Sequence, residues 1–222
     1  MARMKETAGL NILWVSLTLM ILTVFADPDP LQDLCVADMA TGTVKVNGFI
    51  CKESSKVNAS DFKFSGLAKE GSTNNSVGSN VTAANVLKFA GLNTLGISMG
   101  RADFAPGGVN PPHTHPRATE IIFVLKGSLE VGFITTSNML YSQIVKKGDV
   151  FVFPKALVHF QRNVGKGKAA VLTAFNSQLP GTQSIPVTLF GSTPPIDDAV
   201  LSKAFHIDGG EVEKIKSNFK PK

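Results

Sequence analysis

The sequence predicts an all-β domain, an antiparallel sandwich or barrel, with a short helical extension at its C terminus. Three observations carry that expectation. Val, Ile, Phe and Thr are plentiful where helical proteins would show Ala, Glu, Lys and Leu blocks. Apolar segments of strand length recur from Leu92 onward, separated by some of the 20 Gly and 12 Pro residues. Only beyond Pro194-Pro195 does the apolar spacing turn helical. With 222 residues, 43% of them hydrophobic and 18% charged, the chain has the size and composition of one packed domain. Whole-chain disorder, collagen and coiled coil are excluded.

The first 26 residues are different in kind. Arg3 and Lys5 precede a run from Ile12 to Phe25 interrupted only by Ser16, Thr18 and Thr23, and Val24-Phe25-Ala26 supplies the small residues of a cleavage site. This is the pattern of a secretory signal peptide over residues 1–26, shorter than the ~20 apolar residues a membrane span needs. Residues 27–64 follow as an N-terminal arm that opens on the stiff Asp27-Pro-Asp-Pro30 leader. Cys35 and Cys51, the only two cysteines, lie in this arm, and an even pair in an oxidising compartment is expected to bridge. A cysteine metal site would need partners the region lacks, since no His precedes residue 113. Asn58, Asn74 and Asn80 each begin a glycosylation sequon, consistent with an exposed, secreted surface.

The β-barrel is assigned to residues 65–195. Residues 65–80 are rich in Gly, Ser and Asn and read as a mobile surface loop. Strands are expected at 95–104, 120–124, 128–133, 142–145, 149–153, 158–163 and 169–175. Residues 128–133 alternate as a strand buried on one face does. Residues 121–125 are apolar at both parities, so both faces need cover, one of them from a second sheet or a partner subunit. In the extension, residues 196–222, helices are expected at 197–205 and 211–219, where Val200, Leu201 and Phe205, then Val212, Ile215 and Phe219, fall on one side. His206 beside the first of them has no partner pattern and reads as structural.

Three of the four histidines fall in two short segments. His113 and His115, two apart on an extended chain, project to one face and can hold an ion together. Glu120 has the opposite parity to His115, and Pro116 is placed to break the register and turn the carboxylate inward. His159 approaches from another strand. Three neutral imidazoles and a carboxylate suit divalent Mn, Fe, Zn, Cu or Ni. Alone, each residue has a bland explanation as a surface or core side chain. Together they form G-x5-H-x-H-x4-E-x6-G followed by G-x5-P-x4-H-x3-N, the pattern of the two cupin motifs.

The sequence resembles the germin and germin-like proteins in particular. The likeness runs through Gln32-Asp-Leu-Cys-Val-Ala-Asp38, His113-Thr-His-Pro-Arg-Ala-Thr-Glu120, Gly148-Asp-Val-Phe-Val-Phe-Pro154 and Leu189-Phe-Gly-Ser-Thr-Pro-Pro195. The resemblance implies a cupin jelly-roll β-barrel, a homo-oligomer of trimers or hexamers, secretion to the apoplast or cell wall, and manganese held by His113, His115, Glu120 and His159. One departure is visible: the second motif usually has Gly where this chain has Ala156.

Superoxide dismutase activity is what the germin-like proteins suggest, and oxalate oxidase is the activity of the germins proper. Oxalate is a dianion whose far carboxylate needs fixed hydrogen-bond donors. Asn110 matches one asparagine thought to serve in the germins, but the other aligns with Gly100. The expectation is therefore superoxide dismutation with little or no oxalate oxidation. The rival class is a non-catalytic cell-wall or receptor-like binding protein with a structural metal. A net charge of +5, with a pI near 9.2, is spread along the chain without aromatic clusters, which disfavours nucleic acid. That charge instead favours acidic cell-wall polysaccharide and the steering of small anions such as superoxide.

Overall fold

In a computed structural model that describes residues 33–40 and 48–219, the regular structure among the described residues comprises ten strands, three α-helices and three short 3-10 helices. The expected signal peptide and the Asp27–Pro30 leader lie outside the described residues. In chain order the strands are β1 (Ser79–Ala84), β2 (Ser98–Phe104), β3 (Val109–Thr114), β4 (Glu120–Lys126), β5 (Ser128–Ile134), β6 (Leu140–Lys146), β7 (Val150–Phe153), β8 (Val158–Asn163), β9 (Ala169–Phe175) and β10 (Gln183–Ser184). They form two five-stranded antiparallel sheets, ordered β1-β2-β9-β4-β7 and β10-β3-β8-β5-β6. From β3 to β10 the chain passes repeatedly from one sheet to the other, so each sheet is built from strands distant in sequence.

The apolar core lies between the sheets. Phe104, Ile122, Val124, Phe153 and Val171 from the first sheet meet Leu129, Val131 and Val145 from the second, all of them buried. β4 shows why its sequence is apolar at both parities. Ile122 and Val124 point into the core, while Ile121 and Phe123 are 45% and 44% exposed on the outside of the sheet. β1 begins at the end of the segment expected to be a mobile loop, and that segment is tied down. Glu70 pairs with Lys126 at 2.9 Å and Lys168 at 3.0 Å, Asp103 accepts from the Gly71 N–H at 2.9 Å, and Arg101 donates to the Leu67 carbonyl at 3.2 Å.

The arm folds back on itself through a disulfide between Cys35 and Cys51 and an antiparallel bridge between Ala37 and Cys51. Ala37 packs with Val86 and Leu92 in a second small core, against which Phe49, Phe89 and Leu179 lie. Of the three sequon asparagines, Asn58 and Asn74 are exposed, and Asn80 is half-buried on β1. At the C terminus come α1 (Ile185–Phe190), α2 (Asp198–Phe205) and α3 (Gly209–Ser217). Asp197 and Asp208 cap α2 and α3, accepting from the Ala199 and Glu211 N–H groups. Leu201 and Val212 are buried, and the Phe190 and Phe205 rings meet at 5.4 Å. His206 ends α2 in the left-handed conformation, φ +57°, a structural role. Among the described residues no helix is long and apolar enough to cross a membrane.

Candidate metal centre

His113 and His159 are register partners on the paired strands β3 and β8. The pairing shifts between Asn110 and His113, at Pro111-Pro112, where two residues without N–H groups cannot complete a ladder. His115 lies just past β3, and Glu120 opens β4 in the opposite sheet, paired with Phe153 and Phe175. Glu120 therefore faces the histidines across the interior. The parity expected to oppose it to His115 does not apply, because the chain changes sheet between them. The crossing turn is fixed by Ala118 N–H to the His115 carbonyl at 3.3 Å and Thr119 N–H to Asn176 Oδ1 at 2.8 Å.

All four side chains are buried, and one potential ligand atom from each lies within 4.8 Å of the others. Nδ1 of His113 is hydrogen-bonded to the Pro111 carbonyl at 2.8 Å, that of His159 to the Leu157 carbonyl at 2.8 Å, and that of His115 to the Gly181 carbonyl. A carbonyl can only accept, so each Nδ1 carries the proton and each Nε2 is left to the interior. Nε2 of His159 and of His115 lie 3.0 Å and 3.2 Å from Glu120 Oε2. In neutral rings those contacts set acceptor against acceptor. Such an arrangement needs positive charge between the partners, a proton in the metal-free protein or a cation held in common. Phe153 stacks on His159 at 4.4 Å and Phe175 meets His115 edge-on at 4.7 Å, so apolar rings back the centre.

The electrostatics favour the ligand forms. Burial, with His159 adding to it, pushes the His113 pKa down to about 4, leaving a neutral imidazole at neutral pH. Burial pushes Glu120 upward, but the hydrogen bonds it accepts from His115 and His159 when those rings carry a proton on Nε2 outweigh it and hold the carboxyl at about 2. The donor set of three imidazole nitrogens and one carboxylate oxygen fits a divalent transition metal.

A cavity of about 230 Å³ opens onto His113, His115 and Glu120. Asn110 lines it, and its amide donates to Gln161 Oε1 at 2.9 Å. Gln161 Nε2 and Thr173 Oγ1, both on the cavity wall, have no hydrogen-bond partner among the described residues. Gly100 is also on the wall and offers no side chain. Gln161 was not among the candidates from sequence, although it stands two residues after His159 on one strand and so shares its face.

A cupin family model matches residues 65–213. Germin-like protein subfamily 2 member 1 of Arabidopsis thaliana is 62% identical over 197 residues, covering 89% of this chain and 90% of the relative. This chain belongs to the germin-like proteins of the cupin family. The rhicadhesin receptor of Pisum sativum is likewise 62% identical, over 194 residues, with 87% and 89% of the two chains covered. Among solved structures, a recombinant oxalate oxidase in complex with glycolate superposes with a TM-score of 0.85 at 52% identity, spanning 87% of this germin-like chain and 98% of the oxidase. The cupin fold expected from the two motifs is the fold observed.

Proposed function

We propose that this germin-like protein is a secreted manganese enzyme that dismutates superoxide and oxidises oxalate little or not at all. The observation that carries the reading is a buried centre of three imidazoles and one carboxylate facing a cavity of about 230 Å³ in which Gly100 offers no side-chain donor. His113, His115, Glu120 and His159 would hold the metal. Bound manganese supplies a one-electron couple, by which two superoxide ions and two protons become dioxygen and hydrogen peroxide. Affinity order alone favours copper or zinc, so manganese rests on the germin resemblance and on the carboxylate in the donor set.

The protein's own groups suit a small anion. Gln161 Nε2 and the Thr173 hydroxyl, on the cavity wall and without partners among the described residues, are donors that would orient it. A two-ended dianion asks for more. Asn110 spends one amide N–H on Gln161, and Gly100 has none to give. Oxalate oxidation remains the second reading, supported by the 52% identity to an oxalate oxidase.

The wider setting follows from the same reading. Residues 1–26 act as a signal peptide for the apoplast, with residues 27–64, 65–195 and 196–222 as arm, barrel and helical extension, and with Asn58, Asn74 and Asn80 as acceptors for glycan. Ile121 pairs with Val152 and Phe123 with Val150 across β4 and β7, placing four exposed apolar side chains together on the outer face. Such a patch supports a homo-oligomer of trimers or hexamers. Metal analysis of the secreted protein, with superoxide and oxalate assays, tests the proposal. Expected are one manganese per chain, superoxide consumption lost with the metal in His159→Ala, and negligible peroxide from oxalate. Robust peroxide from oxalate, or unchanged metal content in His159→Ala, would overturn it. Metal loading with neither activity would favour a binding role.

A further inference from the structure

The three imidazoles are not held in the same way. His113 and His159 each bond a carbonyl two residues earlier on their own segment, contacts that form as β3 and β8 form. His115 lies beyond its strand, and its Nδ1 reaches the Gly181 carbonyl, 66 residues away in sequence. The ring direction and tautomer of His115 therefore depend on where the irregular segment 176–182 is placed.

Arg117 places it. Its Nε donates to the Leu179 carbonyl at 2.7 Å, and its backbone N–H donates to the Pro180 carbonyl at 3.2 Å. Its guanidinium also occupies the space over Gly181. A β-carbon at Gly181 would lie 2.9 Å from one guanidinium nitrogen and 3.1 Å from the guanidinium carbon, and the residue sits at φ +72°. Two consecutive carbonyls are thus held towards Arg117, and the next one, that of Gly181, turns to His115. We infer that Arg117 is a positioning residue of the metal centre, latching the 179–181 backbone so that Gly181 fixes His115. The inference rests on reading His115 as a metal ligand.

The latch is separable from the fold. Arg117 is exposed, and the segment is also anchored at both ends: after Gly181, Gln183 pairs with Thr114 and Ser184 with His113, and a further anchor lies on its N-terminal side. The Val86 N–H donates to the Gln178 carbonyl at 3.0 Å, and Leu179 packs on the Ala37, Val86 and Leu92 cluster. Arg117→Ala is therefore expected to free the Gly181 carbonyl without unfolding the barrel.

The full-length secreted protein is compared as wild type, Arg117→Ala, Arg117→Lys and Arg162→Ala. The last removes a surface arginine that pairs with Glu130 at 2.7 Å. In the metal-free proteins, nitrogen NMR shifts report histidine tautomers. Arg117→Ala should leave Nδ1 of His113 and His159 protonated and give His115 a mixture of forms with and without a proton on Nδ1. With manganese(II) added, affinity measured by chelator competition should fall about 10- to 100-fold, and the electron paramagnetic resonance spectrum should change. Arg117→Lys should recover part of both, because an ammonium can still donate to the Leu179 carbonyl. Arg162→Ala should match wild type. A His115 Nδ1 that stays fully protonated in Arg117→Ala would overturn the inference, as would wild-type affinity, or a loss of affinity accompanied by an equal loss of Nδ1 protonation at His113 and His159. If even wild type bound no manganese, the reading of the centre would fail, while the tautomer measurement would still decide the role of Arg117.

Discussion

Gly100 on β2 and Thr173 on β9 are register partners, and a β-carbon on Gly100 would lie 2.8 Å from the Thr173 hydroxyl and 3.3 Å from the Thr82 carbonyl oxygen. The side chain missing from one strand is thus matched by a hydroxyl standing in its space on the next. Thr173 Oγ1 is buried without a hydrogen-bond partner among the described residues, so it contributes no hydrogen bond there that a larger neighbour would break.

Restoring an asparagine here is consequently a two-residue change. Gly100→Asn alone is expected to lose about 1–3 kcal/mol through overpacking. Adding Thr173→Ala should recover most of that loss and leave an amide facing the cavity. Urea denaturation measures the stability cycle, and peroxide release from oxalate measures whether the donor matters. Oxalate turnover no higher in the double variant than in wild type would show that position 100 does not limit that reaction.

Ala156 occupies φ +63°, the conformation for which the related motif supplies glycine. Its N–H donates to the His115 carbonyl at 3.2 Å, so the turn is part of the frame around the centre. A left-handed alanine costs ~1 kcal/mol relative to glycine, partly offset by the greater freedom of glycine in the unfolded chain. Ala156→Gly is expected to raise the thermal midpoint by no more than about 2–4 °C and leave metal content unchanged. A lower midpoint would mean that the alanine methyl makes contacts worth more than the strain.

Much of this architecture was legible because strands with one buried face advertise it. The expected strands at 158–163 and 169–175 are β8 and β9 residue for residue. β3 was not expected because Pro111-Pro112 argues against a ladder, and the strand tolerates them only through a register shift. β1 was hidden in a Gly-, Ser- and Asn-rich run whose bonds come from distant groups such as Asp103. α1, six residues with Pro186 near its start, is too short for helical spacing to show. At the centre, the four clustered side chains were legible from the motif spacing. The route by which Glu120 arrives was not, since nothing in the local pattern reveals that residues 116–119 cross between sheets. Gln161 could have been found by strand parity, whereas Arg117 acts through a carbonyl distant in sequence, for which local spacing carries no signal.

The Cys35–Cys51 bridge closes a loop of sequence separation 16, for which chain entropy predicts about 3 kcal/mol. In a chain of this size that is a drop of roughly 6–12 °C in the thermal midpoint. Replacing both cysteines with alanine should give that drop in scanning calorimetry. An unchanged midpoint would mean that the Ala37–Cys51 bridge and the Ala37, Val86 and Leu92 cluster close the arm without help from the covalent bond.

Acid should weaken the metal-free protein through its empty centre in two successive windows. His113 titrates at about 4 when folded against an ordinary 6.5, so between those values the unfolded chain binds more protons and stability falls as the pH falls. Glu120 titrates at about 2 against 4.5, which continues the loss at lower pH, again because the unfolded chain takes up the proton first. Both pKa values are lowered by folding, so the two contributions have one sign. Each is fully present above the unfolded pKa and gone below the folded one. The urea midpoint of the metal-free protein is therefore expected to decline from about pH 6.5 downward, with the first part of the decline absent in His113→Gln. A midpoint that stays flat between neutral pH and 4 would show that His113 is not held neutral by its burial, and that the interior around the centre is wetter than the structure implies.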